Sequence, residues 1–188
     1  MVADDGGDVR LAEGTRVYIL TVSDGVASGT RDDRSGLVLA TRIAMLGGRV
    51  DRGVVPDEAM EIGAAVVAAA ATHQIVLTTG GTGLTSRDVT PQATRAVLDQ
   101  EIPGIAEAMR AAGRRSTPLA DLSRAVAGVV GRSLVINLPG SPKGALESLA
   151  SVEAVLAHAV ETLAGPHDHD AARRASSVSY DRAKEDAP

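Results

Sequence analysis

Three near-continuous apolar runs constrain this chain more than any other feature: TRVYILTV (residues 15–22), QIVLTT (74–79) and RSLVINL (132–138). A strand with one wet face alternates apolar and polar residues. These runs do not, so each is expected to be buried on both faces, as in the interior of a parallel sheet. Parallel strands need crossover connections, and segments of helical period lie between the runs. Leu39, Ile43 and Leu46 recur at helical spacing before the stop signal Gly47-Gly48. RVDRGVV (49–55) reads as a weaker strand, and residues 57–73 as an Ala-rich helix with Ile62, Val66 and Ala69 on one stripe. Thr90 reads as the N-cap of a helix that has Pro91 at its first position and runs to about Leu98. IAEAMRAAG (105–113) is a further short helix, and Leu149, Val152, Leu156 and Leu163 mark one long amphipathic helix.

The expected fold is therefore a three-layer α/β/α sandwich around a mostly parallel sheet. One domain is expected over residues 15–164, after a flexible start at 1–14. The polar, patternless residues 165–188 read as a disordered tail.

Composition narrows the chemistry. The chain has 188 residues, no Cys, no Phe, no Trp and two Tyr, so its core must be aliphatic. Without Cys, thiolate catalysis, disulfides and Cys-ligated zinc are excluded. A net charge of -5 leaves no bulk basic footprint for nucleic acid. No apolar run has the length that crosses a bilayer, and the acidic start is unlike a signal peptide, so a soluble cytoplasmic protein with no membrane partner is expected.

If the strands run parallel, three unusual segments meet at one sheet edge, where ligands bind in open α/β folds. The first is TVSDG, with Ser23 and Asp24. The second is TTGGTG, where Thr79, Gly80, Gly81, Thr82 and Gly83 combine hydroxyls with backbone able to approach a ligand closely. It lacks the G-K-[ST] of a Walker loop and the spacing of a dinucleotide fingerprint. The third is NLPGSPKG, with Asn137, Pro139, Gly140, Ser141 and Lys143; here Ser141 is expected to cap the last helix ahead of Pro142, and Lys143 adds a cation. Ser123 and Arg124 offer a further phosphate contact, against the plainer reading of a surface arginine.

Asp57 and Asp88 each follow a strand end. Asp57 also suits a helix N-cap and Asp88 a turn acid, but two carboxylates at a phosphate-rich site can hold Mg2+. His73 and His158 read as structural, and His167 and His169 as residues of a solvated tail. Ser23 lies in no G-x-S-x-G elbow, so a hydrolase triad is unsupported.

Taken in order, TVSDG, VVPDE, LTTGGTGLTSRDVTPQAT, EIPGIAEAMR, PLADLSRAVAGVVG and LVINLPGSPKGALESL resemble the MogA/MoaB family of molybdenum cofactor biosynthesis over about residues 15–163. The resemblance implies the same α/β/α fold, a homotrimer, and binding of molybdopterin by the TGGTG loop. The MogA branch, with the related domains of gephyrin and its plant counterpart, is a molybdopterin adenylyltransferase. It transfers AMP from Mg-ATP to the terminal phosphate of molybdopterin, releases pyrophosphate, and passes the product to a MoeA-type insertase. The family's essential acids fall on Asp57 and Asp88, which the resemblance makes the catalytic and Mg2+-binding pair. The other functional segments fall on the residues of the three loops, on Thr90, and on Ser123 and Arg124. Two alternatives stand beside this reading: a MoaB-like molybdopterin-binding protein without the transferase activity, and an unrelated nucleotide-binding α/β protein.

Overall fold

A computed structural model describes residues 9–165; the first eight residues and the expected tail beyond Gly165, with His167 and His169, lie outside the described residues. Six strands form one sheet in the order β2-β1-β3-β6-β5-β4. The strands are β1 (Arg16–Val22), β2 (Arg49–Val55), β3 (Ile75–Thr79), β4 (Gln100–Glu101), β5 (Ala127–Val130) and β6 (Ser133–Leu138). β2, β1, β3 and β6 are mutually parallel, while β5 runs antiparallel to both β6 and β4.

The three apolar runs are the three central strands, and the period of two explains their unbroken hydrophobicity. Val17 and Ile19 of β1, Ile75 and Leu77 of β3, and Leu134, Ile136 and Leu138 of β6 enter one core. Leu20, Val22, Val76 and Val135, from the same three strands, enter the opposite one. Each strand thus feeds two cores.

Helices α2 (Arg34–Met45), α5 (Pro103–Gly113), α6 (Pro142–Ala150) and α7 (Glu153–Ala164) cover the first face. Helices α3 (Ala59–Ala70) and α4 (Thr90–Arg95) cover the second, with Ile62, Val66 and Ala69 of α3 buried as their spacing predicts. A short helix, α1 (Asp24–Ala27), follows β1. α2 ends as its glycines foretell: Gly47 takes a φ of 89°, its N–H donates to Ala44 O, and the Gly48 N–H donates to Ile43 O.

Three expectations need correction. The long C-terminal helix is two helices, α6 and α7. The break at Ser151 and Val152 keeps Val152 and Leu156 in the core and places Glu153 at the start of α7, facing Arg42. The helix from Thr90 stops at Arg95, because the chain must turn to pair Gln100 with Val129. Neither β4 nor β5 was expected. β4 is two residues long, and AVAGVV lies beside the last central strand as a short antiparallel partner.

Candidate active site

The parallel strands β1, β2, β3 and β6 all end on one edge. That edge gathers Ser23–Asp24, Asp57, the glycine loop 80–83 and Pro139–Ser141, which realises the expected convergence and adds the end of β2. The glycine loop is held rigidly. Gly80 N–H donates to Leu138 O (3.2 Å), the Thr79 hydroxyl to Pro139 O (2.7 Å) and the Thr90 hydroxyl to Gly80 O (2.9 Å). Gly80 and Gly81 take φ of 107° and 62°. A Cβ at Gly80 would run into the Val22 carbonyl oxygen, and one at Gly81 into the Thr90 hydroxyl. Only glycine fits this fold of the loop.

The loop divides two hollows. The larger, about 760 Å³, is lined by Ser23, Asp57, Thr79, Gly80, Gly81, Asp88 and Gly140, together with arginines 31, 34 and 87. The smaller, about 280 Å³, lies across Thr82 and Gly83. Ser123, Pro139 and Ser141 line it, and Met109, Leu119 and Leu122 give it an apolar wall. Opposite walls of one loop thus present a charged cleft and an apolar one.

Asp57 is not a helix cap. Glu58 takes the N-cap position of α3, without a side-chain bond, and Asp57 turns to α1. The Asp24 N–H donates to Asp57 Oδ2 (2.9 Å), while the Asp57 N–H donates to Asp24 Oδ1 (3.0 Å). This reciprocal pair locks the ends of β1 and β2 together and leaves Asp57 Oδ1 3.4 Å from where a Cβ on Gly81 would stand. Asp88 sits on the other flank of the loop. Its Oδ2 accepts from the Thr85 N–H (2.8 Å) and the Thr85 hydroxyl (2.6 Å), and lies 3.0 Å from a Cβ built on Gly83. Partial burial pushes the Asp88 carboxyl upward. The Thr85 hydroxyl, the Thr85 and Gly83 N–H groups and the Arg124 charge outweigh it and hold the carboxyl below the usual range. Asp24 is also held low, by the Asp57 N–H and then by Arg87.

Arg87 closes the larger cleft. Its Nε and Nη2 donate to Asp24 Oδ2 (3.2 and 2.7 Å) and its Nη1 to Glu58 Oε1 (3.0 Å), so the loop arm is strapped over the ends of β1 and β2. Arg124 braces the loop from behind: its Nε donates to Gly83 O (2.6 Å) and its Nη2 to Asp88 O. That guanidinium is occupied by carbonyls, so it shapes the loop where a phosphate contact was one expectation.

Residues 18–158 match the protein-family model MoCF_biosynth, described as "Probable molybdopterin binding domain". The chain belongs to this molybdopterin-binding family. It is similar to the molybdopterin biosynthesis enzyme MoaB of Thermus thermophilus, with 49% identity and a TM-score of 0.76 over 81% of this chain and 98% of that one. It is similar to the molybdopterin adenylyltransferase of Helicobacter pylori strain J99, at 35% identity over 79% of this chain and 88% of the relative. It is also similar to a molybdenum cofactor biosynthesis bifunctional protein of Synechococcus elongatus, at 36% identity over 89% of this chain. The chain spans about half (53%) of that relative's length.

Within this member of the family, the sequence-derived residues sort into three groups. Ser23, Asp57, Asp88, Thr79, Gly80, Gly81 and Gly140 line the charged cleft, and Asp24 pairs with Asp57 beside it. Thr82, Gly83, Ser123, Pro139 and Ser141 line the apolar cleft. Ser141 caps α6 as expected, its hydroxyl accepting from the Gly144 N–H (3.2 Å). Thr90, Arg124, Asn137 and Lys143 line neither hollow.

Thr90 and Asn137 are fully buried. Thr90 does not cap α4; it is that helix's first residue, and its hydroxyl is spent on Gly80. Asn137 donates from Nδ2 to the Thr78 and Thr94 hydroxyls (2.9 Å each). Lys143 is 79% exposed, with its Nζ 3.7 Å from Glu147.

The cations of the charged cleft are arginines 31, 34 and 87, which sequence reasoning did not single out. Their signal was the polar stretch TRDDRSG (30–36) that leads into α2, and the arginine that precedes Asp88. His73 is structural as expected: its Nε2 lies 3.0 Å from Asp51 and its ring meets Tyr18 edge-on at 5.1 Å.

Proposed function

We propose that this chain is a molybdopterin adenylyltransferase of molybdenum cofactor biosynthesis, transferring AMP from Mg-ATP to the terminal phosphate of molybdopterin. The reading rests on family membership and on one observation: a charged and an apolar cleft meet across a single rigid glycine loop flanked by Asp57 and Asp88. ATP enters the charged cleft, where arginines 31, 34 and 87 face its phosphates. The pterin lies against the apolar wall, with its phosphate directed over the loop.

A phosphate oxygen of molybdopterin attacks the α-phosphorus of ATP. The new P–O bond forms as the bond to the β-phosphate oxygen breaks, and pyrophosphate leaves with that electron pair. The nucleophile is already ionised, so no side chain must take a proton, and Asp57 and Asp88 need not act as strong bases. The protein's contribution is alignment and charge neutralisation. The rigid loop keeps the two reacting phosphates at one place, and the arginines offset their negative charge.

The carboxylates suit magnesium. Among the described residues no group of three or more His, Cys, Asp or Glu is placed to hold a metal alone, but Asp57 and Asp88 offer hard oxygens on either flank of the loop. Magnesium binds in this manner, through one or two carboxylates completed by phosphate and water. When bound, it neutralises the phosphate charge that develops during transfer.

By the same kinship we propose a homotrimer, a cytoplasmic setting where ATP is supplied, and a MoeA-type insertase that consumes the adenylylated product. Among the described residues no helix is long and apolar enough to cross a membrane.

The test is pyrophosphate release by the purified protein with Mg-ATP, with and without molybdopterin. Release is expected only with molybdopterin, and Asp57→Ala and Asp88→Ala are each expected to lose at least about a hundredfold of it. Full activity in both variants would remove the acids from the chemistry. Tight molybdopterin binding with no release would make the chain a MoaB-like binding protein.

A further inference from the structure

Arg87 is divided between two carboxylates with different positions relative to the cleft. Its Nε and Nη2 both reach Asp24 Oδ2, at the end of β1, beside Asp57. Its Nη1 instead reaches Glu58 Oε1. Arg87 lines the charged cleft, whereas Glu58 does not, and the Glu58 side chain is 56% exposed. The guanidinium is planar and carries its donors in a fixed fork. With the Asp24 bonds kept its plane stays fixed, and the Nη1 donor can exchange Glu58 for another acceptor that reaches it from the cleft.

We propose that Glu58 is a positioning residue that holds Arg87 in a bond competing with nucleotide phosphate: ligand entry transfers the Nη1 donor from Glu58 to a phosphate oxygen, so Glu58 weakens nucleotide binding and Arg87 strengthens it. The inference rests on the reading that the charged cleft takes ATP. An exposed ion pair such as Arg87–Glu58 contributes little on its own, whereas a guanidinium bonded to phosphate in a cleft is among the stronger charge-assisted contacts. The exchange therefore runs toward the ligand. Asp24 plays a different part. Without Arg87 its carboxylate would stand beside the cleft with its charge uncompensated, and the retained Nε and Nη2 bonds prevent that.

Glu58 is well suited to test this. It stands at the N-cap of α3 without a side-chain cap bond, so Glu58→Gln keeps the shape and costs the fold little. Calorimetric titration with Mg-ATP, in the absence of molybdopterin, reads the effect on four chains: wild type, Glu58→Gln, Arg87→Ala and the double variant. Glu58→Gln is expected to tighten Mg-ATP by about two- to fivefold, and Arg87→Ala to weaken it by about tenfold or more. In the Arg87→Ala background the Glu58 substitution is expected to change nothing, and a fifth chain, Arg87→Lys, is expected to recover part of the loss. Adenosine, which carries no phosphate, should bind all four chains alike.

A purely structural strap predicts the opposite sign for Glu58→Gln, because a loosened loop binds less well. Unchanged or weakened Mg-ATP binding in that variant would overturn the proposal while leaving the nucleotide reading intact. Absence of Mg-ATP binding by the wild-type chain would overturn both.

Discussion

Asn137 sits in a strand that is otherwise apolar after Ser133, and the reason is a buried polar node. Its Nδ2 satisfies two threonine hydroxyls, one on β3 and one on α4, and its Oδ1 accepts from the Val126 N–H (3.4 Å). Asn137→Ala leaves those groups without a partner in a dry interior, so a loss of about 2–3 kcal/mol is expected in urea denaturation. A loss below about 0.5 kcal/mol would show that the node is not a stabilising one. Asp88 carries the pH dependence at this scale. Its folded carboxyl titrates below the ordinary value of about 4, so its contribution is fully present above that value and is lost as pH falls through the lower, folded one. The stability difference between wild type and Asp88→Asn is therefore expected to stay constant from pH 7 to about 5 and to narrow below about pH 4. A gap undiminished at the acid end would mean that the charge on Asp88 does not stabilise the loop.

At the scale of elements, the feature that ties the helical layer together is the pair between Arg42 of α2 and Glu153 of α7. Arg42 donates from Nε to Oε1 (2.7 Å) and from Nη2 to Oε2 (2.5 Å), and Glu153 is 6% exposed. The break between α6 and α7 exists at the place that brings this carboxylate to the first turn of a new helix, where the backbone dipole also favours it. Arg42→Ala would strand a buried carboxylate, at a cost of about 2–3 kcal/mol after allowance for the partly exposed arginine. Arg42→Ala combined with Glu153→Leu is expected to recover most of that loss, measured by the same denaturation. The apolar repeat from Leu149 to Leu163 conceals the break, because a bent pair of helices keeps the same residues in the core as one straight helix.

For the whole molecule, the sheet order places β3 between β1 and β6, and the glycine loop leaves β3 between the other two strand ends. That position lets one loop separate two clefts. The expected trimer is a question for sedimentation equilibrium. A mass three times 19.1 kDa across micromolar concentrations supports it, and a single monomeric species would refute it. Detection should use interference or peptide absorbance, since two tyrosines are the chain's only aromatic residues apart from histidine.

The sequence alone determined the three central strands, the aliphatic core, the glycine stop of α2 and the Ser141 cap. Each of these depends on local pattern or backbone chemistry: a period of two with both faces apolar, a left-handed turn, a hydroxyl before a proline. Tertiary structure decided which polar residues face a cleft. Asn137 and Thr90 carry the same donors as Ser23 or Thr79, but burial turns them inward to hold the loop. Lys143 belongs to a glycine- and proline-rich stretch of sequence yet sits in the first turn of α6 beside Glu147, while Arg87, unremarked in the sequence, meets Asp24 from 63 residues away. Such pairings arise when strand ends distant in the chain are brought to one edge, and no local pattern encodes which side chain then finds which partner.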